Sequence, residues 1–232
     1  MKHSLTIEPR FCGPKNSGNG GYVCGKLATY VDYTAEVTLR QPPPLSTKME
    51  ILVEDDSLRL MLSNEIVASV RPGMLDFNAP LAPSFKMAIE ASKNYLGFKE
   101  HPYPYCFVCG PKRESPDALC IFPGKTSNNS VIAAPWIPDT SLSNGEGLVK
   151  SEFIWSALDC PGGLVVLEES NMILLGRMTA LIKHPINIGE KYVVIGWLKG
   201  KEGRKFFSGT AIYSEKKGLC AVANATWIDT KQ

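Results

Sequence analysis

Gly20-Gly21-Tyr22-Val23-Cys24-Gly25-Lys26-Leu27-Ala28-Thr29-Tyr30-Val31-Asp32 places Val23, Leu27, Tyr30 and Val31 at the spacing of one helix face. Gly25 and Ala28 are small enough for another backbone to come close. Glycine inside a helix costs roughly 1 kcal/mol against alanine, and tight packing on a flat surface would offset that cost. A sheet is the expected surface, and strand signals follow at once. Between Thr34 and Arg71, Met49, Ile51 and Val53 alternate with their neighbours, as do Leu58, Leu60 and Leu62, then Ile66, Ala68 and Val70. Period-two alternation puts these side chains on one face, as in an antiparallel sheet with one wet side. Asp55-Asp56 and Ser63-Asn64 mark the turns. The first half reads as a helix followed by an antiparallel meander.

The same order recurs downstream. Leu148 to about Glu169 is helix-like, and Met172–Lys183, Lys191–Lys199, Arg204–Ser214 and Leu219–Ile228 are rich in β-branched and aromatic residues. Lys201-Glu202-Gly203 and Glu215-Lys216-Lys217-Gly218 supply turns between the last three. Pro44-Leu45 and Pro185-Ile186 form a matching elbow after the first strand of each half. Two registers fit the halves. One pairs Gly20-Gly21 with Gly162-Gly163; the other pairs Gly20-Gly21 with Ser151-Glu152 and leaves extra residues in the second half. Between the halves, Pro72–Tyr105 is proline-rich, with a helical patch over Ser84–Leu96 whose modest apolar face is Phe85, Ala88, Ile89 and Ser92. Leu119–Phe122 and Val131–Ala134, flanking Gly124–Ser130, predict a hairpin. The expected division is a first unit over residues 1–78, a linker with a connecting helix over 79–105 and a second unit over 106–232.

Composition sets the outer bounds. The 232 residues, 44% hydrophobic and 21% charged, suffice for two cores of ordinary size without a disulfide or metal staple. A net charge of +2 is too mild for a nucleic-acid surface. Met1–Arg10 has no apolar core of a secretory signal. Gly163–Leu167 and Met172–Leu175 are too short to span a bilayer. Seven cysteines, an odd count without a scaffold pattern, fit a reduced cytoplasmic protein with no structural disulfide.

Cys106-Phe107-Val108-Cys109-Gly110, then Ala118–Phe122, then Val131–Pro138, resemble the opening of many hot-dog thioesterases, in which a hairpin and then a central helix follow. That helix usually begins His-Gly-Gly and carries Ala-Leu-Leu-Asp. Here Ala157-Leu158-Asp159 matches the second part, while Val149-Lys150-Ser151-Glu152 stands at the helix start. Asn19-Gly20-Gly21-Tyr22 resembles the family's Asn-Gly-Gly-Tyr variant, and Val37–Pro42 its strand ending in an Arg-x-Pro elbow. The resemblance implies an α+β fold of two tandem hot-dog units, each a central helix wrapped by antiparallel sheet, packed as an intramolecular pair.

Thioester hydrolysis needs donors aimed at the developing oxyanion and a carboxylate to attack or to activate water. A helix N-terminus has unpaired N–H groups and a positive dipole end, and glycine lets a substrate reach them. Gly20 and Gly21 meet this description, although a tight turn into the helix explains them equally. Asp159 sits among Trp155, Ala157, Leu158 and Cys160, where a charge is costly to bury; it could instead cap a turn before Pro161-Gly162-Gly163. Glu152 is a second acid, or a dipole partner in a first helical turn. Tyr22, Trp155 and Glu152 are the expected substrate contacts, although tryptophans commonly serve as core residues. Cys106-x-x-Cys109, with Cys12 or Cys120, could form a zinc knuckle, but no second such pair exists, so neither metal nor cofactor is expected. His3, His101 and His184 are scattered, and neither a Gly-x-Ser-x-Gly elbow nor a phosphate loop occurs.

The resemblance implies hydrolysis of an acyl-CoA or related thioester, with Asn19, Gly20 and Gly21 polarising the carbonyl and Asp159 from the other half as base or nucleophile. A non-catalytic acyl-CoA binding module and a hot-dog dehydratase or hydratase stay open, the scarcity of histidine counting against the latter. The expected partner is the thioester, with no nucleic acid or membrane; assembly into a homo-oligomer is left open.

Overall fold

A computed structural model describes residues 3–75, 78–127, 131–167, 169–170 and 172–230. In chain order the strands are β1 (His3–Leu5), β2 (Ala35–Leu39), β3 (Met49–Glu54), β4 (Ser57–Leu62), β5 (Glu65–Pro72), β6 (Gly124–Lys125), β7 (Ile132–Trp136), β8 (Ile173–Ile182), β9 (Tyr192–Glu202), β10 (Lys205–Ser214) and β11 (Gly218–Asp229). Three α-helices accompany them: α1 (Gly20–Ala28), α2 (Phe85–Ser92) and α3 (Ser151–Leu164). The strands form one sheet in the order β1-β3-β4-β5-β2-β8-β11-β10-β9-β7-β6, and every paired neighbour is antiparallel. Outward from the middle, the first half runs β2-β5-β4-β3 and the second β8-β11-β10-β9. The halves meet at β2 and β8, where Val37 faces Met178, both fully buried. Arg177 fastens this seam through Thr38 Oγ1 at 3.2 Å and Glu36 at 3.6 Å.

The meander departs from strict alternation in two places. Val53, expected inside, is 54% exposed, because β3 has run past the core edge by the Asp55-Asp56 turn. A register shift between Leu60 and Met61 lets the consecutive residues Val67 and Ala68 both be buried.

Helix α1 starts at Gly20 because Asn19 caps it, its side chain accepting the Tyr22 N–H at 2.9 Å. It ends at Ala28, earlier than the periodicity suggested, so Tyr30 and Val31 lie beyond it and are only half-buried. Val23 and Leu27 are fully buried in the main core. The glycine face meets another helix rather than the expected sheet. A Cβ on Gly25 would stand 2.6 Å from Glu152 Cα, and one on Gly21 would stand 2.5 Å from Asp159 Cβ. Glycines one turn apart therefore set how closely α1 and α3 approach.

The structure decides the register between the halves. Gly18 N–H donates to Pro43 O just before α1, and Val149 N–H donates to Ile186 O just before α3, both at 2.8 Å. By these bonds the helix starts correspond, Gly20 with Ser151, and Pro43 corresponds to Ile186, two residues off the Pro44–Pro185 match. The extra residues lengthen the second helix, 14 residues against 9. Gly162 and Gly163 lie at the far end of α3, against Ser208 and Trp227, so their pairing with Gly20-Gly21 is wrong. Pro161 also lies inside α3, where it removes a backbone donor. The neighbouring Leu158 carbonyl accepts from Thr210 Oγ1 at 2.7 Å.

Two smaller expectations change. In α2 the buried residues are Ala88 and Ala91, while Ile89 is 40% exposed. Leu119–Phe122 is not a strand; Leu119 and Ile121 donate to Phe107 O and Val108 O, each at 2.9 Å. The partner of β7 at that edge is only β6, and the hairpin tip at 128–130 lies outside the described residues. No helix among the described residues is long and apolar enough to cross a membrane.

Candidate active site

Asp159 lies in the third turn of α3, 3% exposed, and is not a cap. The close approach of α1 brings the first turn of that helix onto its carboxylate. Asp159 Oδ2 accepts from the Gly21 N–H at 2.9 Å and from Asn19 Nδ2 at 2.8 Å. Its other oxygen, Oδ1, is buried without a hydrogen-bond partner. Burial pushes the carboxyl up to about 7; the Gly21 and Asn19 hydrogen bonds oppose that push and the neighbouring Cys106 sulfur adds to it. Residues far apart in sequence, Asn19, Gly20 and Gly21 from one half and Asp159 from the other, thus meet at one point.

A cavity of about 250 Å³ opens on this point, with Asn19, Gly20 and Asp159 in its lining. Leu39 and the Arg40–Pro43 elbow form one wall, and Ile173–Gly176 with Trp227 and Ile228 another. The lining is mainly apolar, with a few polar groups gathered where the helices meet, the usual composition of a small-molecule site. Arg40 is exposed where it borders the cavity.

The donors are distributed differently from the sequence expectation. Gly21 N–H and the Asn19 amide are committed to Asp159, and the Tyr22 N–H to Asn19 Oδ1. Among the described residues the Gly20 N–H, in the same first turn and on the cavity, has no hydrogen-bond partner. The three expected substrate contacts lie elsewhere. Tyr22 is buried and stacked on Phe11, ring centres 4.2 Å apart. Trp155 packs against Gly25 between the helices. Glu152 pairs with Lys26 Nζ at 3.4 Å. All three side chains follow the helix faces into the α1–α3 contact and the aromatic core, away from the cavity.

Sequence reasoning missed Cys160. It joins Cys106 and Cys109 in a buried group whose sulfurs all lie within 4.8 Å of one another, and all three residues line the cavity. Cys12 and Cys120, the partners weighed from sequence, bond instead to Tyr105 O and Arg113 O. Only the position of Cys160 beside Asp159 on an inward helix face hinted at its place. Cys106 holds the negative charge most readily, its sulfur accepting from the thiols of Cys109 and Cys160 and from the backbone N–H groups of Cys109 and Val108.

The large antiparallel sheet carrying two helices that meet over a cavity is a fold shared with solved structures named as thioesterases. Among solved structures, the chain is similar to the acyl-CoA thioesterase II TesB2 of Mycobacterium marinum, with a TM-score of 0.62 and 12% identity, over 100% of this chain and 93% of that one. The tesB protein of Mycobacterium avium subsp. paratuberculosis also gives 0.62, with 9% identity over 99% and 93% of the two chains. Both matches span both halves. No protein-family model matches the sequence, and no curated protein matches it.

Proposed function

We propose that this chain hydrolyses an acyl thioester of the CoA class in the cavity between α1 and α3. The observation that carries the reading is Asp159: a buried carboxylate with one oxygen held by the opposite helix start and the other unpartnered, at the end of an apolar cavity. Held in this way, the group is oriented for proton transfer before substrate arrives. In the proposed step Asp159 Oδ1 takes a proton from water as the water oxygen attacks the thioester carbon. The carbonyl oxygen, gaining negative charge, takes the Gly20 N–H, supported by the positive end of α1. Collapse expels the CoA thiolate, which receives the proton and leaves a carboxylic acid and a free thiol. Direct attack by the carboxylate would pass through a mixed anhydride and give the same products.

The apolar walls suit an acyl chain, and Arg40 offers a guanidinium to phosphates of the nucleotide arm. The finer architecture belongs to the same reading: two tandem hot-dog units over 1–78 and 106–232, joined by a linker over 79–105. The equal strand orders and the matching backbone bonds before each helix start support it. A panel of acyl-CoAs of varied chain length, followed by release of free thiol, tests the function. Turnover above the uncatalysed rate that is lost in Asp159→Asn supports it. Tight binding without thiol release would make the chain an acyl-CoA binding module instead.

A further inference from the structure

Cys106, Cys109 and Cys160 take no part in the proposed hydrolysis, yet their arrangement is specific. Two come from one turn and the third from the middle of α3, and Cys106 Sγ and Cys160 Sγ stand 3.6 Å apart. That is too far for a disulfide, whose sulfurs are about 2.0 Å apart. Sulfurs held at about 2.3 Å from one tetrahedral ion stand roughly 3.8 Å from each other. Cys106 and Cys160 already stand at about that separation, and all three sulfurs lie within 4.8 Å of one another.

Gly110 N–H closes the turn on Cys106 O at 3.0 Å. This is the tight turn by which a Cys-x-x-Cys pair presents two sulfurs to one centre. His101 Nδ1 accepts the Tyr103 N–H at 2.9 Å, so its ring proton sits on Nε2, 3.4 Å from Cys109 Sγ. His101 is therefore a donor supporting a thiolate from outside, not a ligand. Asn19 Nδ2 lies 3.9 Å from both Cys106 Sγ and Cys160 Sγ.

We propose that Cys106, Cys109 and Cys160 bind one thiophilic divalent ion of the zinc class through three thiolates, its fourth position open to the cavity that all three residues line. Thiol protons leave as the ion enters, and no oxidation state changes. The site departs from the metal-free expectation drawn from the sequence, because only folding brings Cys160 to the pair. It stands independently of the thioesterase reading.

The test uses the full chain, reduced and stripped with a chelator, then titrated with cobalt(II) and with zinc(II). The expected result is one ion per chain, with cobalt giving thiolate charge-transfer absorption in the near ultraviolet and the visible bands of tetrahedral coordination. Zinc should displace cobalt. It should also slow alkylation of Cys106, Cys109 and Cys160 beyond their rate in the stripped protein, as mapped by mass spectrometry. Cys160→Ser should weaken zinc binding by about a hundredfold or more, while Cys120→Ser leaves it unchanged. If Cys160→Ser does not fold by circular dichroism, the alkylation map of the wild type decides. Less than about a tenth of an ion per chain with every thiol reduced, binding without thiolate charge transfer, or protection of other cysteines overturns the proposal. None of these readouts depends on turnover, so failure of the metal site and failure of the hydrolase are separately visible.

Discussion

Asp159→Asn should abolish turnover and at the same time make the metal-free protein more stable at neutral and alkaline pH. Asparagine keeps the size of the side chain, and its carbonyl oxygen can still accept from Gly21 N–H and Asn19 Nδ2. It removes the charge, and the charge is what burial opposes. The folded carboxyl has its pKa raised from 3.8 to about 7. Below pH 3.8 both folded and unfolded chains hold the proton and there is no penalty. Between 3.8 and 7 the unfolded chain releases its proton before the folded one does, so stability falls as pH rises. Above 7 the penalty is complete and constant. At about 1.4 kcal/mol per tenfold, the gap between 3.8 and about 7 amounts to roughly 4 kcal/mol as an upper bound. The amide leaves one buried N–H₂ where Oδ1 lacked a partner, much as the protonated acid leaves an O–H, so the two compare closely at low pH. Chemical denaturation of the chelator-treated proteins at pH 4.5 and pH 8 measures this. The variant should gain up to a few kcal/mol at pH 8 and much less at pH 4.5, while thiol release from acyl-CoA drops about a hundredfold or more. A variant that is no more stable at pH 8, or whose advantage does not change with pH, would refute the account of Asp159 as a buried charge held for use. Unchanged turnover would remove it from the chemistry.

Gly21→Ala should lower both stability and turnover, because its Cβ would stand 2.5 Å from Asp159 Cβ and 2.6 Å from the Trp155 carbonyl; overpacking of this kind costs about 1–3 kcal/mol, read by thermal melting. Gly25→Ala, which meets the Glu152 backbone one turn further on, should destabilise by a similar amount and provides the comparison for helix separation alone. Arg40→Ala should raise KM for acyl-CoA several-fold with little change in kcat, and should leave a short acyl thioester lacking the nucleotide unaffected, in steady-state kinetics. Tyr22→Ala should cost about 3–5 kcal/mol through loss of its stack on Phe11, whereas Tyr22→Phe should keep the wild-type KM, which a substrate contact through the hydroxyl would not.

Much was legible in one dimension because it depends on local rules. Alternation of Met49 with Ile51 and of Leu58 with Leu60 states which face of a strand is buried, and Asp55-Asp56 and Ser63-Asn64 state where the chain turns. Asn19-Gly20-Gly21-Tyr22 carried the resemblance that placed a helix start there, and Asp159 among apolar neighbours marks a charge with a reason to be there. What went astray were several judgements that needed the partner surface. Gly25 announces a close approach but not that the approaching element is α3, since sheet and helix ask for the same missing Cβ. Tyr22, Trp155 and Glu152 lie within about two turns of the site in sequence, yet a helix turns about 100° per residue and carries them to other faces. The pairing of Gly20-Gly21 with Gly162-Gly163 looked as good as the correct one until the backbone bonds at the two elbows separated them.

The sequence by itself determined the kinds of element, their order, the two helix-then-strand halves and the residues able to carry chemistry, because propensity, periodicity and capping act over a few residues. Tertiary structure alone decided that the Gly21 N–H and Asn19 amide would be spent on Asp159, that Gly20 would keep a free donor, and that Cys160 would complete a cluster begun by Cys106 and Cys109. Those outcomes are set by contacts over more than fifty residues of chain: the seating of α1 on α3 for the Asp159 contacts, and the packing of the Cys106–Cys109 turn against α3 for the cluster.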